Sequence, residues 1–516
     1  MELIKESLNI GEILFSDNFE AIADGDLIVP DVKPDILKIL QVNATSCISS
    51  KEISDGRLTI SGRADITVLY LPDKEDMGVQ SIRTSYDFTH KCEKSVIDEN
   101  CYATVVSDIS KVDFHVINSR KLSLKAIVSI DCEIISAKEI SFLTALEGEN
   151  VHTKTQTHDF NTLSVMRDFD FFIKDAIEIP SGKASIGEIL NIDYRICDKE
   201  FKMISEKVVV KGVLAVCVLY TDCDGKIEYT EAELPFTEVF DLPETDENST
   251  CEINFCTCDC YFDTSEDSDG DRRIINLEIS VCAEIKASTT RSIETITDLF
   301  CPGNDTEITK SEKSLNRVIC SPTAKNTLRE NITIDSSLPK IERLYNVITH
   351  AFITKTRLER DKLFIEGKVI AYILYIADNP PIYSHKAEIP FSYALDCSGA
   401  CEGMDCAISC EAGHTSFHLN SSIEVEIRCI LGISANISDR HDISVIEDVN
   451  FQPIPKERKK GLVIYFVKPG DTLWNIAKNY SVSPEQIAEF NKLSDKNSIS
   501  PGQKLVIPTL CKAINK

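Results

Sequence analysis

The stretch Gly62-Arg-Ala-Asp-Ile-Thr-Val-Leu-Tyr70 has two counterparts later in the chain, each a glycine followed after six residues by a Leu-Tyr pair. The counterparts are Gly212–Tyr220 and Gly367–Tyr375. β-Branched residues and near-alternation of apolar positions predict a strand in each copy. The glycine predicts a bulge or a close backbone approach. We expect the Leu-Tyr pair to pack in the core of its own unit, with the tyrosine hydroxyl near the surface.

Further landmarks accompany each copy in the same order. A proline lies 40, 40 and 36 residues before the three tyrosines, and a phenylalanine lies 18, 16 and 16 residues after them. These residues are Pro30, Pro180 and Pro339, and Phe88, Phe236 and Phe391. Because the tyrosines are 150 and 155 residues apart, the units have the size of domains and not of short solenoid repeats.

The repeats predict a mainly β protein, with a short helical stretch such as Ile341–Ile348 between strands. A chain of 516 residues is too long for one core and divides into several domains. We therefore expect three β-rich repeat domains, then a linker with two prolines and several charges, then a small βααβ domain. The expected bounds are 1–155, 156–315 and 316–450 for the repeats, 451–462 for the linker and 463–509 for the last domain.

The tail can be built from local rules. Ile464–Val467 predicts a short strand, which Pro469-Gly470 ends. Asp471 or Thr472 then serves as the N-cap of a first helix. Its apolar residues recur at helical spacing and form one stripe: Leu473, Ile476, Ala477 and Tyr480.

A second helix and a closing strand follow. Ser483 predicts an N-cap, and Pro484 suits the first helical position because its missing N–H would have no partner there. Ile487 and Phe490 are expected to bury this helix. Leu505–Ile507 predicts the final strand, so the order is strand, helix, helix, strand.

The tail closely resembles the LysM domain. The likeness is carried by Val-Lys-Pro-Gly-Asp-Thr-Leu-Trp-x-Ile-Ala at 467–477 and by Ile-x-Pro-Gly-Gln-x-Leu-x-Ile-Pro at 499–508. It implies a domain that binds N-acetylglucosamine polymers such as peptidoglycan. The implied groove residues are Gly470, Asp471, Thr472, Leu473, Ser498, Ile499, Ser500 and Pro501. The alternative is purely structural, with Leu473 and Ile499 in the core and Gly470 and Pro501 only making turns.

The β repeats, with their Gly-x6-Leu-Tyr strand, look like the SPOCS domain of clostridial spore-coat proteins. Three such repeats followed by one LysM domain resemble the SipL-type coat morphogenesis family. The resemblance implies a scaffold that attaches the coat to the forespore surface. It also implies a partner in the basement layer of the coat, the ATPase called stage IV sporulation protein A.

Charge and targeting signals bear on location and partner. The net charge of −28 argues against nucleic acid or an anionic membrane as the main partner. Residues 456–516 hold 11 basic and 5 acidic residues, so the tail is at +6 and the remainder at −34. The acidic start of the chain is unlike a signal peptide, and no apolar run is long enough for a transmembrane segment. We expect the cytoplasm of the sporulating mother cell.

The chain has 20 cysteines, which without a secretion signal predict reduced thiols. Cys256, Cys258 and Cys260 alternate, so on a strand they share one face. A second cluster consists of Cys397, Cys401, Cys406 and Cys410. Neither has the paired C-x-x-C spacing of a zinc site. We predict reduced, metal-free cysteines that pack as small apolar residues.

No catalytic motif stands out. The sequence has no Gly-x-Ser-x-Gly elbow and no His-Glu-x-x-His helix, and the glycine that would complete a phosphate loop before Gly182-Lys183 is missing. The repeats share a glycine and aromatic residues, and not carboxylates or histidines. We predict a non-enzymatic protein without a cofactor. A peptidoglycan-binding wall or cortex protein is the alternative, and a wall hydrolase is a third hypothesis.

Overall fold

The computed structural model describes residues 2–512 except 75–76, 149, 378–380, 454–457 and 494–498. Antiparallel sheets make up most of the described chain, and the two helices among the described residues lie in the tail. The predicted fold class, mainly β with a small βααβ region at the end, is confirmed.

The three repeats have matching strand orders. The first repeat consists of β1 (Glu2–Ile28), β2 (Ile36–Ser54), β3 (Arg57–Pro72), β4 (Gln80–Glu93), β5 (Cys101–Asn118) and β6 (Lys121–Glu147). The second consists of β7 (His152–Glu178), β8 (Glu188–Ile204), β9 (Lys207–Thr221), β10 (Ile227–Asp241), β11 (Thr250–Glu266) and β12 (Arg272–Phe300).

The third repeat differs in one strand, because its first strand is divided in two. It consists of β13 (Asn304–Cys320), β14 (Thr323–Thr333), β15 (Arg343–Glu359), β16 (Lys362–Ile376), β17 (Ile382–Asp396), β18 (Asp405–Ser421) and β19 (Glu424–Pro453). The tail consists of β20 (Arg458–Phe466), α1 (Leu473–Asn479), α2 (Pro484–Phe490) and β21 (Lys504–Lys512).

Each repeat has a head made of two facing antiparallel sheets. In the first head, the sheet β2-β3-β4 packs on one half of β1 and of β6, residues 15–28 and 121–134. Strand β5 pairs with β6 beside them. Apolar side chains alternate along β3, so one face fills the core between the sheets. The second and third heads have the same arrangement around β9 and β16 and have cores of their own. Tyr70, Tyr220 and Tyr375 lie on these three central strands, which confirms the predicted repeat.

The repeated glycine and phenylalanine are directly opposite each other on neighbouring strands. Gly367 pairs with Phe391, and a Cβ atom on Gly367 would lie 2.3 Å from that ring and 2.4 Å from the Phe352 carbonyl oxygen. The other two heads repeat this pairing of glycine with phenylalanine. The predicted close approach is therefore confirmed. The longer spacing in repeat 1 lies in its turn, because Tyr70 pairs with Gln80, ten residues away, against eight in the other copies.

The prediction for the Leu-Tyr pair is right for the tyrosines, which pack in their own heads, and wrong for the leucines, which do not. The tyrosines are 0% exposed, and each hydroxyl donates to the carbonyl oxygen of the residue 36 positions earlier. The acceptors are Pro34, Ala184 and Pro339, at 3.0, 3.1 and 3.0 Å. Pro339 therefore corresponds to Pro34 and Ala184, and not to Pro30 and Pro180. The leucines face the other way, since neighbours on a strand point to opposite faces.

The three heads meet around a shared central core. Leu69, Leu219 and Leu374, one from each Leu-Tyr pair, lie in this core. Tyr345 joins them, and its hydroxyl donates to Gln41 of repeat 1 at 2.8 Å. In each Leu-Tyr pair, the tyrosine thus packs within its own head, and the leucine packs against the other heads.

The far halves of the long strands form a three-part stalk, made of β1 with β6, β7 with β12, and β13 with β19. Apolar side chains from all three repeats share its core, and Phe142 stacks on Phe160 with ring centroids 4.6 Å apart. A bulge marks the junction of head and stalk in repeats 1 and 2. In repeat 3 the break lies at Ser321-Pro322, where proline has no N–H for the ladder.

Two sequence expectations change at this level. Ile341–Ile348 is not helical, because β15 begins at Arg343 and pairs with β16. Of the residues assigned to the linker, 454–457 lie outside the described residues, and β20 already begins at Arg458. The domain bounds themselves stay a prediction.

Candidate functional site

The loop before α1 is shaped by its own side chains. Thr472 is the N-cap, and its hydroxyl accepts a hydrogen bond from the Asn475 amide at 3.2 Å. The Asp471 carboxylate accepts from the Tyr465 hydroxyl at 2.6 Å and from the Lys468 amide at 2.8 Å. These hydrogen bonds lower the pKa of Asp471. Both oxygen-bearing side chains are therefore used within the loop.

The second helix begins as the sequence predicts. The Ser483 hydroxyl accepts from the amides of Glu485 and Gln486, at 3.1 and 3.4 Å, and Pro484 occupies the first turn. Ile487 is fully buried. Phe490 was expected to be buried as well, and this is wrong, since it is 56% exposed at the end of the helix.

Hydrogen bonds hold the two predicted groove loops close together. The Gly502 amide donates to the Val467 carbonyl at 2.8 Å, and the Val467 amide donates to the Gln503 carbonyl at 2.9 Å. Gly470 has φ +89°, a conformation that favours glycine. Gln503 was not among the predicted site residues, but its side-chain oxygen accepts a hydrogen bond from the Ser500 amide at 2.9 Å and so shapes the closing loop.

The predicted groove residues divide by exposure. Leu473 is buried and Ile499 is half-buried, and both belong to the core of the tail. Ser498 lies outside the described residues. The exposed members are Gly470, Thr472, Ser500 and Pro501, while Asp471 is half-buried. The structure thus brings the two loops together, and binding in the groove stays a prediction.

The tail is seated on the tip of the stalk. The Trp474 indole donates to the Asp298 carboxylate at 2.8 Å, and Lys478 makes an ion pair with the same carboxylate. Phe300 packs edge-on against Trp474 with ring centroids 5.1 Å apart, and His152 stacks on Phe300. Burial opposes ionisation of Asp298, but the bonds from Lys478 and Trp474 outweigh it and lower its pKa.

This seat joins the tail directly to the body. Phe300 is the last residue of β12 and lies in the same apolar cluster as the core of the tail. The tail follows repeat 3 in sequence but rests on repeat 2. Local sequence patterns could not show this contact, because Asp298 and Trp474 are 176 residues apart.

The outer face of β20 is apolar and exposed over residues 462–466. Leu462, Ile464 and Phe466 are 63%, 57% and 61% exposed. Their alternate neighbours Val463 and Tyr465 pack inward against the helices. Such a row is typical of an interaction surface. Strand alternation in 462–467 was the signal that could have identified it.

The heads line an open central cavity of about 2090 Å³. Hydrogen bonds and ion pairs between repeats lie along its walls. Lys51 pairs with Asp168 at 2.8 Å, and Arg195 donates to the Thr349 carbonyl at 2.6 Å. Burial raises the pKa of Asp193, although that carboxylate accepts hydrogen bonds from Asn191 and Asn346. These groups pair with each other across the junctions and so stabilise the assembly of heads.

The cysteines depart from the prediction at one place. Cys258 forms a disulfide with Cys47, with their Cα atoms 5.0 Å apart, so the prediction of a reduced Cys258 is wrong. Cys256 and Cys260 are free thiols. In the second cluster, Cys397 is buried and Cys401 is exposed. Within the described ranges, that cluster offers no three metal-ligating atoms within 4.8 Å of one another.

Comparison with known families identifies the repeats and the tail. The family described as "SipL, SPOCS domain" matches residues 35–117, 185–263 and 340–420, and the LysM domain matches residues 465–508. This chain is a protein of three SPOCS domains and one LysM domain. Both resemblances seen in the sequence are confirmed. Each SPOCS match begins at the small sheet of a head and leaves the long stalk strands outside.

Two curated relatives are similar to short parts of the SPOCS–LysM chain. An uncharacterized protein of Deinococcus radiodurans is 43% identical over 56 residues, 10% of this chain and 22% of the relative. Uncharacterized protein YkzQ of Bacillus subtilis is 46% identical over 44 residues, 8% of this chain and 57% of the relative. The chain thus spans less than two thirds of either relative.

No solved structure matches the chain. In the part of the chain that the structure describes, neither tail helix is long and apolar enough to cross a membrane.

Proposed function

We propose that this SPOCS–LysM protein is a non-enzymatic scaffold of spore coat assembly, acting in the cytoplasm of the mother cell at the forespore surface. The SipL-type SPOCS domains support a role in coat morphogenesis. The three heads have a glycine, a tyrosine and a phenylalanine in common, and all three residues are used in packing. This supports a structural role for the heads. The domain bounds given above are part of this proposal.

The partner is the basement-layer ATPase, stage IV sporulation protein A, and the LysM domain is the part that docks to it. The observation that carries this is the exposed apolar face of β20, on a domain whose Trp474 and Lys478 are already engaged by the stalk. The +6 charge of residues 456–516 suits an acidic partner surface.

The second candidate is a peptidoglycan-binding protein of the wall or cortex. The two loops that the LysM resemblance assigns to glycan binding lie together, and Gly470, Thr472, Ser500 and Pro501 are exposed there. A wall hydrolase ranks below it, because the heads share packing residues and no common carboxylate or histidine.

The experiment compares capture of the two ligands by the full chain. Phe466→Ser removes an apolar side chain from the β20 face, and Val239→Ser removes one of similar exposure from the second head. We expect only the β20 variant to lose co-purification with stage IV sporulation protein A from sporulating cells. If the full chain instead sediments with purified peptidoglycan and captures no ATPase, the glycan-binding candidate replaces the scaffold.

A further inference from the structure

The sulfur atoms of three cysteines from two repeats meet at one junction. Cys47 lies on β2 of repeat 1, and Cys256 and Cys258 lie on β11 of repeat 2. All three Sγ atoms are within 4.8 Å of one another. The alternation of Cys256 and Cys258 was visible in the sequence, but Cys47 gave no local signal, because it lies 211 residues before its disulfide partner Cys258.

Local backbone irregularities accompany this meeting. β2 has a register shift between Ile48 and Ser50, and β11 has one between Thr257 and Cys260. A bulge bends its strand and redirects the neighbouring side chains. Bulges next to Cys47 and at Cys258 thus lie on both sides of the junction.

The corresponding junction between repeats 2 and 3 has no such trio. Cys197 matches Cys47, because each pairs with the residue just after the repeat glycine. The partner strand β18 has a matching irregularity after Ala412, but Gly413 is found where β11 has Cys258. Among the residues that the structure describes, such a trio is found at this junction alone, so it is not part of the repeated scaffold.

We propose that Cys47, Cys256 and Cys258 form a thiolate site for a thiophilic d10 cation, Zn²⁺ or Cu⁺, that clamps repeat 1 to repeat 2. Thiolates are the preferred protein ligands of these soft ions. Three sulfurs each about 2.3 Å from a central ion are about 4 Å apart. Cys256 Sγ lies within 4.8 Å of both other sulfurs, and the bonded pair has to move apart after reduction to reach this distance. The cysteines also line the central cavity, which gives an ion a route to them.

The disulfide is the oxidised form of the same site. Two molecules of a low-molecular-weight thiol reduce the Cys47–Cys258 bond and leave as one disulfide, so two electrons and two protons pass to the protein sulfurs. The cation then binds the three sulfurs and displaces their three thiol protons to solvent. Binding and disulfide formation at this site exclude each other.

The ligands stay in place after reduction because other contacts hold the junction. Arg63 pairs with Asp259 at 2.6 Å, one residue after Cys258. Lys51 pairs with Asp168 at 2.8 Å, four residues after Cys47. A site held by its surroundings binds an ion without having to order the chain first.

The test uses the full chain, reduced with a phosphine under anaerobic conditions, desalted and incubated with Zn²⁺ or Cu⁺ in separate arms. We expect one ion per chain after gel filtration in at least one arm, with Cys47, Cys256 and Cys258 protected from alkylation. Cys256→Ser should weaken binding by more than the roughly 10–100-fold typical of losing a supporting contact to a ligand. Cys197→Ser, at the matched position of the next junction, should bind as the parent does.

Circular dichroism checks that each variant is folded, so that lost binding reports the site. If the chain retains no ion in either arm and the Cys47–Cys258 disulfide forms again on oxidation, the three cysteines are a disulfide site only. That result would overturn the proposal. Undiminished binding by folded Cys256→Ser would overturn it as well, because the third sulfur would then not be a ligand.

Discussion

Leu219 and Tyr220 are neighbours on one strand but serve two different kinds of core. The tyrosine is enclosed within its own head, and the leucine packs in the core that all three heads share. The core of the stalk is also shared, because residues of all three repeats pack in it. The molecule thus has two kinds of core. Each head has a private core, whose residues come from one repeat and recur at a fixed spacing in the sequence. The shared cores, between the heads and in the stalk, contain residues from all three repeats.

The largest effect is expected in a shared core. Phe142→Ala in the stalk removes a buried ring that stacks on Phe160 of the next repeat, at a cost of about 3–5 kcal/mol in the free energy of unfolding. Hydrogen exchange followed by mass spectrometry should become faster in the stalk halves of β1, β7 and β19 together. Faster exchange confined to the first repeat would contradict this prediction, because it would mean that the stalk strands of the three repeats do not stabilise one another.

A smaller and more local effect is expected in a private core. Gly367→Ala places a methyl group against the Phe352 carbonyl and the Phe391 ring, so we expect a loss of about 1–3 kcal/mol from overpacking. Gly432→Ala is the matched control, because its added Cβ meets no atom within 4 Å. Faster exchange should be limited to the third head. Equal stability of the two variants in chemical denaturation would contradict the close-approach argument.

The smallest effect is expected at the seat of the LysM domain, which depends on a partly exposed carboxylate. The chain has a single tryptophan, Trp474, whose fluorescence therefore reports this contact alone. Asp298→Asn should shift its emission to the red by exposing the indole to water. Thr297→Ala is the control, because the Thr297 hydroxyl donates to the Lys154 carbonyl of the stalk and not to the tail.

Acid should have the same effect as this substitution. The pKa of Asp298 is lowered in the folded protein, so its contribution is complete above the ordinary value of 3.8 and is lost as pH falls from there through the folded pKa. We expect the parent to show the red shift only in that acidic range. An emission that stays unchanged in both experiments would show that Asp298 does not hold the seat.

The private cores and the LysM fold were predictable from sequence for a physical reason. Gly367 and Phe391 recur because each head repeats one cross-strand contact, and the caps at Thr472 and Ser483 act within a few residues. The direction of the Leu-Tyr pair was predicted wrongly, since both residues are apolar and the pattern alone does not say which face meets a neighbour.

The shared features could not be inferred in this way. Phe142 lies on the last strand of repeat 1 and Phe160 on the first strand of repeat 2, so the two do not match each other in the repeat pattern. Their contact therefore left no periodic signal in the sequence. Cys47 and Cys258 meet only because two bulged strands from different repeats pack together. Likewise, nothing in the motif around Trp474 indicates that its indole bonds to Asp298 of the body.

The seat of the LysM domain also has a consequence for the timing of synthesis. Trp474 is made 174 residues after Phe300, which at cellular rates of translation is a delay of roughly 9 to 35 s. Throughout that interval the aromatic side chain at the end of β12 has no cover from the tail. A nascent chain therefore presents an apolar tip until the tail has been made, and this contact can close only after that.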